Sequence, residues 1–126
     1  MVEIADIGKD DKVIDLGSGD GRILFEASKH AKIVVGVELN PFLVTYTKVK
    51  AAITHTDVQV ERKNLYKVNL RDYDVIFCYL LPATMSDLAG KFKQELRPGT
   101  RIITNTFHLE GFEQIKKTGK LIAYKV

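Results

Sequence analysis

Residues 13–23, VIDLGSGDGRI, run an apolar β-prone stretch into three glycines two positions apart, Gly17, Gly19 and Gly21, and then into a helical periodicity. A strand that turns through bare backbone directly into a helix needs a parallel strand to receive the crossover, so the chain is committed to a βαβ start. The rest of the sequence keeps the alternation. Residues 12–16 read as the first strand, 20–30 as a helix and 32–37 as the second strand. Asn40 suits an N-cap and Pro41 the first helical position. Behind them Phe42, Tyr46, Val49 and Ile53 recur on one helical face, which is expected to pack on the sheet. A short strand over 58–62 precedes a loop and then DYDVIFCYLL, residues 72–81, whose unbroken apolar run predicts a strand buried on both faces at the sheet's centre. Pro82 opens a third helix with Met85, Leu88, Phe92 and Leu96 as its apolar stripe, although Gly90 inside it costs about 1 kcal/mol relative to Ala. RPGT, residues 97–100, turns into a strand over 101–107. Two β-like runs, 114–116 and 120–124, joined by KTG, predict a terminal antiparallel hairpin. The expected fold is α/β with a mostly parallel sheet.

Composition narrows the function classes. A chain of 126 residues that is 45% hydrophobic and 28% charged has the balance of a globular domain. With no repeat or linker in view, residues 1–126 are expected to form one domain. Nineteen Lys and Arg are interspersed with sixteen Asp and Glu for a net charge of +3. That is mild basicity, not the clustered charge of a nucleic-acid binder. Cys78 is the only cysteine and sits in the apolar run, where it reads as a small buried hydrophobe in a protein of the reducing cytoplasm. No apolar segment reaches the roughly 18 residues that span a bilayer, and the start lacks a secretory pattern, so membrane insertion is not expected. His30, His55 and His108 have no metal-ligand spacing, and no metal is expected. Asp20, Arg22 and the lysines of KFK and KKTGK read as solvated charges.

Glycine loops at strand-to-helix turns serve several anionic ligands, and spacing separates them. A phosphate-binding loop needs Gly, four residues, then Gly-Lys-Ser/Thr, which no glycine here provides. A dinucleotide fingerprint needs glycine at the first, third and sixth positions, but the sixth position counted from Gly17 is Arg22. What the chain does carry is Asp15, then Gly17, Ser18, Gly19 and Gly21, then Glu38 twenty-one residues beyond Gly17. This resembles the motif of class I S-adenosylmethionine-dependent methyltransferases. The resemblance implies that main-chain N–H groups at the helix start meet the methionine carboxylate and that Asp15 holds the α-ammonium through water. Glu38 would accept from both ribose hydroxyls, as acids at this position do in nucleoside-binding α/β folds. After the third strand, Asn64 would accept from the adenine amino group, the Leu65 N–H would donate to the ring and Leu39 would cover its face.

Read together, DLGSGDGRI, GVELNPFLV, NLYKVNLRDYDVIFCYLLP and ELRPGTRIITNTF are similar to one lysine methyltransferase family. It comprises the ATP-synthase c-subunit and adenine-nucleotide-translocase lysine methyltransferases and small archaeal protein lysine methyltransferases. The similarity runs over residues 12–112 and implies strand order 3-2-1-4-5-7-6, S-adenosylmethionine as cofactor, and a protein partner that presents lysine. It places Tyr79, Leu80, Leu81 and Pro82 at the mouth of the lysine channel, with Tyr79 either orienting the amine as the catalytic side chain or packing in the core. Phe107 is likewise either a channel aromatic or a core residue. Two departures stand out. Asn64 replaces the family's usual Asp, and only eleven residues precede Lys12, which leaves the channel open or completed by another subunit. Transfer needs no strong base, because the sulfonium makes a good leaving group; the lysine must lose a proton from a usual pKa of about 10.4. Two other readings stay open: a methyltransferase for RNA or a small molecule, and a non-catalytic S-adenosylmethionine-binding module. Against nucleobase amines stands the absence of Asp/Asn-Pro-Pro-Tyr after the fourth strand, where this chain has Tyr79-Leu80-Leu81-Pro82.

Overall fold

Val13, Ile14 and Leu16 on one strand and Val75, Ile76, Phe77 and Cys78 on another have no exposed surface, because helices or turns cover both faces of the sheet they share. The computed structural model describes residues 2–126. Its strands are β1 (Lys12–Leu16), β2 (Ile33–Val37), β3 (Gln59–Glu61), β4 (Val75–Cys78), β5 (Arg101–Asn105), β6 (Glu113–Thr118) and β7 (Leu121–Lys125). They form one seven-stranded sheet in the order 3-2-1-4-5-7-6, as the family resemblance implies. β1 to β5 are mutually parallel, and β7 runs antiparallel to both β5 and β6. The helices are α1 (Arg22–Ala27), α2 (Pro41–Thr54) and α3 (Pro82–Glu95), with short 3-10 turns at Val2–Ala5 and Leu65–Lys67. Among the described residues no helix is long and apolar enough to cross a membrane.

Strand alternation sorts the core into two layers. On one face Ile14, Leu16, Ile76, Cys78 and Ile102 meet Met85, Leu88 and Phe92 of α3. On the other, Val13, Val34, Val75, Phe77 and Ile103 meet Ile23, Leu24 and Ala27 of α1 and Val2, Ile4 and Ala5 of the first 3-10 turn. Close approach of α1 to β2 requires Gly36: a Cβ there would lie 2.5 Å from Leu24 Cδ1 and 2.8 Å from the Ser18 side chain. At the amino ends of the strands, polar clamps hold the sheet. Asp74 accepts from the Lys12 N–H (2.9 Å) and from Arg97 (3.0 Å), while Arg101 donates to the Ala5 and Asp6 carbonyls and pairs with Asp11 at 2.5 Å.

The apolar stripe expected to seat α2 on the sheet faces solvent instead. Phe42 is 83% exposed and Ile53 73%, with Tyr46 and Val49 about half exposed; the buried positions are Val44 and Thr47. The physical reason is the space available. α2 lies against the glycine loop, where Thr47 Cγ2 stands 2.9 Å from the position of a Cβ on Gly21. A seat that tight accepts Thr and not Phe or Tyr. Asn40 accepts from the Phe42 N–H and Pro41 occupies the first turn, so the cap itself is as the sequence predicts.

Smaller differences have local causes. α1 is six residues long because the chain beyond Ala27 closes into turns, with the His30 and Ala31 N–H groups both donating to the Ala27 carbonyl. β3 keeps only the centre of its expected run. β5 stops at Asn105 because Thr106 adopts φ +68° and bonds the Lys120 carbonyl. The terminal hairpin is longer than its β-like runs suggest and turns at Gly119 and Lys120.

Candidate functional site

From β1 the chain runs outward through β2 and β3 and then crosses back to place β4 on the other side of β1, so the carboxyl ends of β1 and β4 flank the point where the winding direction reverses. Doubly wound sheets hold ligands in the crevice at that point. Here the crevice is floored by the glycine loop. Gly17, Gly19 and Gly21 all have positive φ, at +80°, +58° and +85°, conformations that side chains rarely adopt. Gly17 has a second constraint, since a Cβ would come 2.8 Å from Leu80 Cδ2. The Gly17 and Ser18 N–H groups both donate to the Val37 carbonyl (2.8 and 3.0 Å), which ties the loop to the end of β2.

Glu38, the residue after β2, completes this tie. One carboxylate oxygen accepts from the Gly19 N–H and the other from the Asn40 N–H, each at 2.9 Å. Glu38 thus joins the glycine loop to the start of α2 through two charge-assisted bonds. A carboxylate has about four acceptor directions, so each oxygen keeps one for a further donor.

Three polar groups in the crevice lack partners. Asp15 is buried, and its carboxylate receives no hydrogen bond among the described residues; burial first, and then the charge of Glu38, push its pKa up to about 7. The Ser18 and Tyr79 hydroxyls are buried and unpartnered as well. Burial, with the Asp15 charge second, pushes the Tyr79 phenol upward too. Asp15, Gly17, Ser18, Ile23 and Tyr79 line a cavity of about 270 Å³, with the exposed Asp20–Arg22 ion pair (2.9 Å) beside them. Buried unpaired polar groups are costly, and their convergence on one cavity marks a place for a ligand that carries donors.

A second, open depression of about 400 Å³ is lined by Tyr79, Leu80, Leu81 and Asn105, the last two exposed. Asn105 is a residue that sequence reasoning missed. The sequence pattern carries the strand on to 107, so the place of Asn105 at its carboxyl end emerges only from the fold.

The remaining candidates are placed as follows. Leu39 is exposed next to Glu38, its carbonyl accepting from Arg62 (3.0 Å). Asn64 lies at the exit of β3, where its side chain accepts from the Tyr66 N–H (2.9 Å) and caps the 3-10 turn that begins at Leu65. Leu81 is exposed and Pro82 begins α3. Phe107 is not brought to the Tyr79 cavities. It faces a groove with Ser86, Ala89, His108 and Leu109, on the α3 side of the sheet. Among the described residues no group of three or more His, Cys, Asp or Glu side chains is placed to hold a metal.

The ANTKMT methyltransferase domain matches residues 15–116. A protein-lysine N-methyltransferase of Saccharolobus islandicus is 32% identical over 121 residues, spanning 89% of this chain and 72% of that protein. The adenine nucleotide translocase lysine N-methyltransferase of Mus musculus is 35% identical over 116 residues, spanning 90% of this chain; the chain covers 51% of that protein, about half its length. Among solved structures, an RNA methyltransferase of Salinibacter ruber in complex with S-adenosyl-L-homocysteine superposes with a TM-score of 0.87 at 28% identity, covering 98% of this chain and 84% of the other.

Proposed function

Since the chain belongs to the ANTKMT methyltransferase domain family, we propose that it transfers methyl groups from S-adenosylmethionine to the ε-amine of lysine in a protein substrate. The observation that carries this reading is the pair of cavities that share Tyr79: one holds a buried unpartnered carboxylate beside a glycine loop, and the other is lined by two leucines, an aromatic ring and a neutral amide. The first suits a ligand with an ammonium group, and the second suits an aliphatic chain ending in an uncharged amine.

The residues present fit the cofactor. Asp15 offers its unpaired carboxylate to the α-ammonium, and the bare backbone at Gly17 and Gly19 allows close approach. The acceptor capacity that Glu38 keeps would serve the ribose hydroxyls, with Leu39 and the exit of β3 at Asn64 and Leu65 serving the adenine. When bound, S-adenosylmethionine would supply an electrophilic methyl group on a sulfonium leaving group that keeps the C–S bonding pair, so that the amine lone pair could take the methyl and the amine proton would pass to water. The chain's own contribution is alignment and dehydration. Tyr79, Leu80 and the exposed Leu81 offer apolar surface beside the approach, which would favour the neutral amine over the ammonium once a substrate covers it, and so lower the lysine pKa toward the working pH. We assign the activity to one domain spanning the 126 residues and place it in a reducing cytoplasm, with the single buried cysteine, Cys78, as support.

A second reading, transfer to RNA, is favoured by one observation, the superposition on the Salinibacter ruber RNA methyltransferase. Incubation of the purified protein with methyl-labelled S-adenosylmethionine and cell extract, with and without nuclease, separates the two. Nuclease-resistant label recovered as methyllysine is the expected result. Label lost on RNA digestion would replace the proposal with the second reading.

A further inference from the structure

We propose that Asn105 holds the acceptor amine, its side-chain carbonyl oxygen accepting an amine N–H while the nitrogen lone pair is left facing the methyl group. This rests on the lysine reading above and assigns a residue to its acceptor side. The register places Asn105 there. Asp15 pairs with Phe77 and Phe77 with Ile103, so the residues two steps on, Tyr79 and Asn105, stand on the same face of the sheet at its carboxyl edge. Asp15 on β1, Tyr79 just past the end of β4 and Asn105 at the end of β5 therefore share that face. The cofactor cavity opens between the first two and the second cavity between the last two.

The lining of that second cavity explains the chemistry. Beside Asn105 it has only the Tyr79 ring, Leu80 and Leu81, and Tyr79 is its one titratable side chain. It offers no cation for a phosphate or carboxylate and no carboxylate to trap an ammonium. A neutral amide acceptor can hold a neutral amine without stabilising the protonated, unreactive form.

One neighbour orients the exposed Asn105 amide. The Thr106 hydroxyl donates to the Asn105 side-chain oxygen at 2.9 Å, which leaves one acceptor direction on that oxygen. Thr106 reaches it from φ +68°, where a β-branched residue is a genuine outlier, and its N–H is anchored on the Lys120 carbonyl at 2.6 Å. Strain of this kind persists where the surroundings enforce it, and it clusters at binding sites.

Two variants test the assignment in the 126-residue chain: Asn105→Leu, which keeps the volume and removes the acceptor, and Asn105→Asp, which keeps the acceptor and adds charge. Three quantities are read: methyllysine formed from labelled S-adenosylmethionine in cell extract across pH, S-adenosylmethionine affinity by calorimetry, and the melting temperature. Asn105→Leu is expected to lower methyllysine formation about tenfold, the worth of one hydrogen bond, with cofactor affinity within about twofold of wild type. Asn105→Asp stabilises the ammonium form, so its rate profile moves to higher pH by about one unit, a shift that a packing role would not produce. Asn105→Leu at the wild-type rate would overturn the proposal. So would a loss matched by an equal loss of cofactor affinity, or an Asn105→Asp profile that does not move. A wild type that binds the cofactor yet labels RNA, or nothing, removes the lysine reading itself and this assignment with it.

Discussion

Asp15→Asn tests the electrostatics of the crevice in both directions at once. In the ligand-free protein the Asp15 carboxyl has a pKa of about 7 in place of the usual 3.8, because burial and Glu38 oppose its charge. The folded state therefore binds a proton that the unfolded state releases between those two values. Stability from this source is complete below the unfolded pKa and is lost as pH rises through the folded one. The gap is about 3 pKa units at about 1.4 kcal/mol each, so ionised Asp15 costs the empty protein up to about 4 kcal/mol at pH 8. Asparagine removes the charge but leaves an amide to satisfy, at about 1–3 kcal/mol. The net expectation at pH 8 is a ligand-free variant more stable than wild type by about 1–3 kcal/mol, which is a rise in melting temperature of roughly 4 °C per kcal/mol. Near pH 4 that advantage vanishes. The same substitution removes the partner of the α-ammonium, so cofactor affinity falls at least about tenfold. Wild-type affinity itself weakens as pH drops below 7, because the carboxyl must shed its proton to bind a cation. Thermal melts at pH 4 and pH 8 with calorimetric titration of S-adenosylmethionine read all of this. An Asp15→Asn variant that melts lower than wild type at pH 8 and binds the cofactor equally well would refute the reasoning.

Three further substitutions have definite expectations. Gly36→Ala drives a Cβ to within 2.5 Å of Leu24 and 2.8 Å of Ser18 and should cost about 1–3 kcal/mol by urea denaturation. Glu38→Gln keeps one acceptor for the two N–H groups that the carboxylate now joins; it should weaken S-adenosylmethionine binding at least about tenfold, and Glu38→Ala should in addition lower the melting temperature by loosening Gly19 from Asn40. Phe42→Ser with Ile53→Ser should change stability by no more than about 0.5 kcal/mol each, since both face solvent; a loss of several kcal/mol would mean that α2 is rotated from the orientation described.

The central strands and the glycine loop were legible in the sequence because their signals are local. A short unbroken apolar run rich in β-branched and aromatic residues between turn signals reads as a strand covered on both faces, and three glycines between a strand and a helix leave few turns to choose from. Asn40 and Pro41 announce the start of α2 for the same reason. The face that α2 buries was not legible, since Phe42, Tyr46, Val49 and Ile53 make a stronger stripe than Val44 and Thr47, and only the tight seat at Gly21 selects the smaller residues. Of the site, Asp15, Gly17, Ser18 and Glu38 stand close in sequence around one crossover and could be read as a group. Tyr79 joins them because β4 lies next to β1, a fact of sheet order that local pattern does not contain. Asn105 needed the register of β4 on β5, and the placement of Phe107 needed to know on which side the chain leaves β5 after the left-handed Thr106. The two hydrogen bonds that Glu38 accepts from the Gly19 and Asn40 N–H groups had no sequence signal, because an acid that organises a loop and an acid that binds a ribose occupy the same position.

A structure of the protein in complex with S-adenosylhomocysteine would test the central claim most directly. The account predicts the ligand in the crevice between β1 and β4, with its ammonium at Asp15, its ribose hydroxyls at Glu38 and its sulfur beside Tyr79, turned toward the cavity that Leu80, Leu81 and Asn105 line. A ligand bound elsewhere, or one whose sulfur faces away from that cavity, would contradict it.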